Sequence, residues 1–435
     1  MAPATVSALA AAVILLVVAA PAPAAAADFT LKLLTNASAV CLDGSPGGYY
    51  LRTGSAGSWV IEMEVRERGG DGRVRLVDEG VQGPHHPRTP TCTQGGGWCY
   101  TPELCLQRST TDIGSSKSWP ATGCPGMDGG ARGMLSSNCS VSQFCDWTAV
   151  HMNYCDGGSF AGHVAEPVSV GGQSLYLRGR DILDATIDEL LSSGMVDAKE
   201  VILKGCSAGG LAVLLHLDYF AARVKAANPA IRVVGMPDAG FFLDHATVGG
   251  GASVYTPEIE TTVALHQPLQ PGSVNDACLA AHQPTGDAFK CFMAEYTLPH
   301  VVTPYYMTQD LVDTWQLQNI LLLPCQPWVA GSCNATALAW MEAYRQDMLR
   351  ALAPLLSSPT NGGFLTSCVQ HCHQNNDPCW TKSLVANQTL AESFAAWYSG
   401  GSSLQRLVVD GPFGSDKACF CTPYQGGCRG CGGAW

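Results

Sequence analysis

Apolar residues in this chain gather in short β-branched runs separated by longer stretches of helical spacing. Leu31-Lys32-Leu33-Leu34 and Trp59-Val60-Ile61-Glu62-Met63-Glu64 read as strands on either side of a turn-rich segment, Asp43-Gly44-Ser45-Pro46-Gly47-Gly48-Tyr49-Tyr50. Short strands are also predicted within 146–155 and 174–180. From Asp181 to Ser193 the apolar positions recur every three to four residues, which predicts a helix with Gly194 as its stop. A strand follows at Glu200-Val201-Ile202-Leu203-Lys204, then a helix beginning around Leu211-Ala212-Val213-Leu214-Leu215-His216-Leu217. Ile231 to Met236 is the next strand, His300 to Met307 another apolar stretch, and Ala337 to Leu356 a long helix. This alternation predicts an α/β fold with a mostly parallel central sheet and helices on both faces. Chemistry in such folds collects at the carboxyl ends of the strands.

Two regions fall outside this rhythm. The run from Ala8 to Ala20, followed by Pro21-Ala22-Pro23 and an alanine tract, reads as a signal peptide over 1–27, leaving 28–435 as one domain. Its n-region lacks Lys and Arg, and a signal anchor is the rival reading. The second region, 65–94, is rich in Gly, Arg and Pro without apolar periodicity. Without it, the strand ending at Glu64 runs straight into Gly95-Gly96-Gly97-Trp98-Cys99. It is therefore expected to be an insertion. Val-Arg at its start and Gln at its end fit splice-site codons, as a retained intron would.

Composition narrows the class. The 435 residues are 46% hydrophobic and only 14% charged, with a net charge of −12. No basic patch is present to displace phosphate counterions, so nucleic acid is not an expected partner. The 20 cysteines, in an exported chain, imply disulfides. Zinc at Cys419-x-Cys421 and Cys428-x-x-Cys431 is the lesser reading. Sequons at Asn36, Asn138, Asn334 and Asn387 fit the same compartment as glycosylation candidates. After signal cleavage no membrane attachment is expected, and a monomer is.

Gly205-Cys206-Ser207-Ala208-Gly209-Gly210 stands between the predicted strand and helix. A serine there is the nucleophile elbow of α/β-hydrolases; a plain Gly-rich turn is the competing reading. Such a serine needs a histidine base, and the histidine needs an orienting carboxylate, in the chain order Ser, Asp or Glu, His. Asp310 and Asp313 compete for the acid on equal terms, each also readable as a helix cap. His371 and His373, in Ser367-Cys368-Val369-Gln370-His371-Cys372-His373-Gln374, compete for the base. A metal site is the alternative use of that His-x-His; His216, His245, His266, His282 and His300 are weaker candidates. The N–H groups of Gly96 and Gly97, with that of Ala208, suit an oxyanion hole.

Taken together, Val40-Cys41-Leu42-Asp43-Gly44-Ser45-Pro46, Gly95-Gly96-Gly97-Trp98-Cys99, Tyr154-Cys155-Asp156-Gly157-Gly158-Ser159-Phe160, the Ser207 elbow, Asp238-Ala239-Gly240-Phe241-Phe242, Asp313-Thr314-Trp315-Gln316 and Ser367 to Cys372 resemble the plant pectin acetylesterases, relatives of the animal Notum carboxylesterases. The resemblance implies an α/β-hydrolase-like, disulfide-stabilised esterase. It would be secreted to the cell wall, use no cofactor or metal, and release acetate from acetylated pectin. It also implies Ser207 as nucleophile, Asp313 as acid and His371 as base, with Trp98, Asp156 and Asp238 in pocket segments. Resemblance and local spacing suggest the pairs Cys41–Cys155, Cys99–Cys105, Cys278–Cys291 and Cys325–Cys333. The Cys-rich tail, 411–435, departs from the family pattern. The alternatives are a Notum-like lipid-ester hydrolase, a secreted serine peptidase, or an impaired splice form acting as an extracellular binding protein. A loop inserted beside an oxyanion donor can cost on the order of 100- to 1,000-fold in rate. Deleting 65–94 is therefore expected to raise activity, and equal acetate release from the two forms would refute this.

Overall fold

The computed structural model describes residues 29–63, 97–123, 133–327, 329, 331–400 and 406–412. The signal-peptide reading, the 65–94 insertion, Gly96 and most of the 411–435 tail lie outside these residues. Among the described residues, nine strands form one sheet: β1 (Thr30–Leu33), β2 (Gly48–Arg52), β3 (Ser55–Met63), β4 (Trp147–Met152), β5 (Glu200–Cys206), β6 (Arg232–Asp238), β7 (Tyr306–Asp310), β8 (Gly362–Thr366) and β9 (Leu407–Val409). Their order across the sheet is β1-β2-β4-β3-β5-β6-β7-β8-β9. From β4 to β9 neighbours run parallel, while β2 joins β1 and β4 antiparallel. This is an α/β fold with a mostly parallel central sheet.

Successive strand residues point to opposite faces, and both faces are buried. In β3, Trp59, Ile61 and Met63 enter one core with Val201 and Leu203 of β5. Val60 and Ile202 enter the other. The first core is covered by α2 (Gly179–Ser192), α3 (Ala208–Ala227) and α6 (Ala335–Ala351). The second is covered by α7 (Leu390–Tyr398), whose Leu390, Phe394 and Trp397 lie against Phe364, Tyr306 and Val408. Side-chain oxygens start several helices: Asn334 accepts from Ala337 N–H at 2.9 Å, and Thr389 forms a reciprocal capping box with Glu392.

Four element readings are corrected. Tyr49 and Tyr50 lie in β2, not in a turn, because helices and loops bury this strand. Of 174–180 only Ser174 and Leu175 are strand, the end of Gln173–Leu175, which pairs with Val168–Val170 in a separate small hairpin turned by Gly171 and Gly172. Of the apolar stretch from His300 to Met307 only Tyr306 and Met307 are strand, the start of β7, which runs on through buried Thr308, Gln309 and Asp310. The long helix from 337 to 356 breaks after Ala351, and Pro354 sits in the first turn of the short helix Ala353–Leu356.

The structure joins Cys41 to Cys155, Cys99 to Cys105, Cys278 to Cys291 and Cys325 to Cys333. It also joins Cys139 to Cys145 and Cys206 to Cys372, which the sequence reading did not anticipate. Asn36, Asn138, Asn334 and Asn387 are all exposed.

Phe394 is wholly buried against Phe144, Tyr306, Trp397 and Tyr398. Phe394→Ala is expected to destabilise the fold by about 3–5 kcal/mol, read as a lowered denaturation midpoint. An unchanged midpoint would show that α7 does not hold the second core closed.

Candidate active site

Ser207 follows β5 and precedes the first turn of α3, at φ 59° and ψ −130°. It is 2% exposed, and its N–H donates to the Asp238 carbonyl at 2.9 Å. The turn depends on missing side chains. A Cβ on Gly210 would overlap the Asp238 carbonyl oxygen, and one on Gly240 would overlap the Gly210 backbone. Ala208, the first residue of α3, has an N–H that no intrahelical carbonyl can reach.

Asp313 fills both roles weighed for it. Its Oδ1 caps α5 (Thr314–Asn319) by accepting the Gln316 N–H at 3.0 Å. Its Oδ2 lies 2.6 Å from His371 Nδ1. Since the carboxylate can only accept, Nδ1 carries the hydrogen and Nε2 is left as the basic nitrogen. Cys372, the residue after His371, is bonded to Cys206, the residue before Ser207, with Cα atoms 5.8 Å apart. A ring nitrogen of His371 lies within 4.8 Å of the Cys206 sulfur, one residue from Ser207.

Asp310 and His373, the competitors, form a second pair of their own, with Nε2 2.7 Å from Oδ1 and both residues fully buried. Burial alone would push the His373 imidazole down, but the adjacent Asp310 charge and hydrogen bond outweigh it and hold it well above its usual value.

The segment after Gly96 is held from behind. The Gly97 carbonyl accepts from Arg108 Nη1 of α1 (Pro102–Ser109) and from the Tyr154 hydroxyl, both at 3.1 Å. A pinned carbonyl directs the N–H of the same peptide, that of Trp98, the opposite way. The Trp98 indole N–H donates to Ser159 Oγ at 2.8 Å, and Ser159 Oγ donates to the Ala208 carbonyl at 2.9 Å. One buried hydroxyl thus ties the two sides of the expected oxyanion hole together. His216 Nε2 lies 2.9 Å from the Ser159 carbonyl, and burial lowers its pKa to about 4, so this imidazole is a neutral strut.

Asp156 and Asp238 are fully buried anchors, not exposed pocket walls. Asp156 Oδ2 accepts from the N–H groups of Gly158 and Phe160, both at 3.0 Å, and burial raises its pKa to about 7. Asp238 Oδ2 accepts from His373 and Gln374 N–H at 2.7 and 2.8 Å, which fixes the loop carrying His371. Trp98 is the centre of an aromatic cluster, with ring centroids 5.2 Å from Phe242, 6.1 Å from Tyr255, 6.2 Å from Phe292 and 6.3 Å from Trp315. Sequence reasoning passed over Arg108, Tyr154 and Ser159, although the last two lie in a quoted motif. It also missed the symmetry of Cys206-Ser207 and His371-Cys372.

A parallel sheet whose central strand ends in a left-handed serine at a helix start defines an α/β-hydrolase-like protein. The pectinacetylesterase family model matches residues 91–420, and the chain belongs to that family. Pectin acetylesterase 5 of Arabidopsis thaliana is 31% identical over 398 residues, covering 88% of this chain and 82% of its own length. The palmitoleoyl-protein carboxylesterase NOTUM of Homo sapiens is 29% identical over 385 residues, covering 85% and 66%. The crystal structure of the Wnt deacylase Notum from Drosophila matches with a TM-score of 0.69 at 22% identity, covering 89% of this chain and 97% of that one. Family membership assigns the chain carboxylic ester hydrolysis.

Ser159→Ala unties Trp98 from Ala208. It is expected to lower kcat by about 10- to 100-fold with KM little changed. A kcat equal to that of the parent would show that the tie does not position the donors.

Proposed function

We propose that this chain is a secreted serine esterase that removes acetyl groups from cell-wall pectin, and that it works through an acetyl-serine. The observation that carries the reading is the 2.6 Å pair of His371 Nδ1 and Asp313 Oδ2 beside the Ser207 elbow. Ser207 Oγ attacks the acetyl carbonyl while His371 Nε2 takes its proton. The tetrahedral oxyanion rests on the Ala208 N–H and on N–H groups of the Gly97 segment. The ester C–O bond then breaks, and His371 returns the proton to the departing sugar oxygen. Water, deprotonated by His371, attacks the acetyl carbonyl and releases acetate with Ser207 restored. Asp313 fixes the tautomer and faces the imidazolium as it forms.

Two features support acetyl over longer acyl groups. The family model that matches is that of the pectinacetylesterases, and the relatives at 30–31% identity carry the name pectin acetylesterase. Trp98, beside the oxyanion segment, is 4% exposed and already in contact with its aromatic neighbours, so the apolar volume there is taken up by protein. Among the described residues no helix is long and apolar enough to cross a membrane. The exposed sequons fit the proposed extracellular location.

On acetylated pectin, Ser207→Ala is expected to release acetate at least about 10,000-fold more slowly and to lose labelling by a fluorophosphonate probe. Chromogenic acetyl esters should outpace long-chain ones, and the reverse order would favour a lipid-ester substrate. The rate should fall on the acid side as the imidazole takes a proton. A rate that is flat from about pH 4 to 8 would count against His371 as base.

A further inference from the structure

We infer that the Cys206–Cys372 disulfide is a positioning element of the active site, the covalent clamp that holds the base over the nucleophile. The inference rests on the proposed Ser207–His371–Asp313 assignment. Cys206 is the residue before Ser207, and Cys372 is the residue after His371. The bridge spans a sequence separation of 166, with Cα atoms 5.8 Å apart. The bridges Cys41–Cys155, Cys99–Cys105, Cys139–Cys145, Cys278–Cys291 and Cys325–Cys333 involve neither neighbour of Ser207 and neither neighbour of His371.

The geometry at each end asks for such a clamp. Cys206 closes β5 and is 4% exposed, so its end is fixed in the sheet. Cys372 has a φ of 65°, a left-handed conformation that a non-glycine residue avoids unless it is held there. That conformation turns the chain sharply between the two histidines. His371 then faces Asp313 and the elbow, while His373 faces inward to Asp310. On the far side the loop is held by the two N–H bonds to Asp238, but these begin only at His373. On the other side Gln370 is held through its carbonyl by Thr314 N–H at 3.1 Å, and the bridge is the covalent tie from this loop to the residue before the nucleophile. A base displaced by about 1 Å can lose on the order of 100-fold in rate.

The direct test is the double variant Cys206→Ala/Cys372→Ala, beside Cys278→Ala/Cys291→Ala as a bridge remote from the elbow and Ser207→Ala as the inactive reference. All are assayed for acetate release below their own melting temperatures. The clamp predicts a kcat lower by roughly 100-fold with KM little changed. It also predicts slower labelling of Ser207 by the fluorophosphonate. The Cys278/Cys291 variant should lose thermal stability but keep its kcat. An elbow variant that melts lower yet keeps the parent kcat would overturn the inference while leaving the triad standing. Residual full activity in Ser207→Ala would instead overturn the triad. Should the double variant fail to fold, the wild-type chain is treated with dithiothreitol, which gives the bridge two electrons and two protons and closes to its own cyclic disulfide. Cys372 is partly exposed and Cys206 is buried. Thiol labelling of quenched samples maps which bridge has opened. Activity lost in step with opening of Cys206–Cys372, in chains whose tryptophan fluorescence stays native, and regained on reoxidation, supports the clamp. Undiminished turnover with that bridge open refutes it.

Discussion

The architecture of the site depends on how closely the first turn of α3 approaches the end of β6. Gly210 and Gly240 meet there backbone to backbone, and neither has room for a Cβ. The approach lets Ser207 N–H reach the Asp238 carbonyl and forces Ser207 to φ 59°. A non-glycine residue in such a conformation costs of order 1–3 kcal/mol and persists only when its surroundings over-determine it. Here they do. Leu211, Val213 and Leu214 of α3 are completely buried, as are Val201 and Leu203 of β5. Moving the helix to relax the serine would expose much of that apolar surface to water.

The carboxyl edge of the sheet carries an unusual load of buried charge. Glu62 of β3 accepts from Lys204 of β5 and lies 2.8 Å from His151 Nδ1 of β4, with Asp238 and Asp310 on the next two strands. Burying such groups costs more than it returns unless every partner is in place. Further partners come from one loop: Asn375 bonds both Lys204 at 2.6 Å and Glu62 at 2.7 Å, His373 meets Asp310, and the N–H groups of His373 and Gln374 meet Asp238. A shifted loop would break several buried hydrogen bonds at once. These charges therefore specify where residues 371–376 sit, and through them where the His371 imidazole stands.

What could be read from sequence follows from the range of each signal. The elbow was legible because strand, Gly-x-Ser-x-Gly and helix are contiguous, and the alternation of elements gave the parallel sheet. β8 was not legible, since Gly362-Gly363-Phe364-Leu365-Thr366 has the glycine content of a loop and becomes a strand by pairing with β7 and β9. Likewise β7 hides its strand character behind Thr308, Gln309 and Asp310, whose burial depends on partners far along the chain. Asp156 and Asp238 stood out as motif residues, but their role in holding backbone N–H groups depends on loops that meet only in three dimensions.

The two pairs Asp310–His373 and Asp313–His371 illustrate the same limit, and they differ in burial. Each pair has a short carboxylate–imidazole contact, so distance alone does not separate them. They differ in freedom and charge. His373 is completely buried, its N–H is held by Asp238, and its pKa stands well above the usual value under the influence of Asp310. An imidazole sealed from solvent on all sides cannot meet a substrate. His371 keeps 5% of its side chain exposed and lies beside the Cys206 sulfur, on the nucleophile's side of the loop. The inner pair anchors the turn, and the outer pair is the one the proposed proton transfer uses.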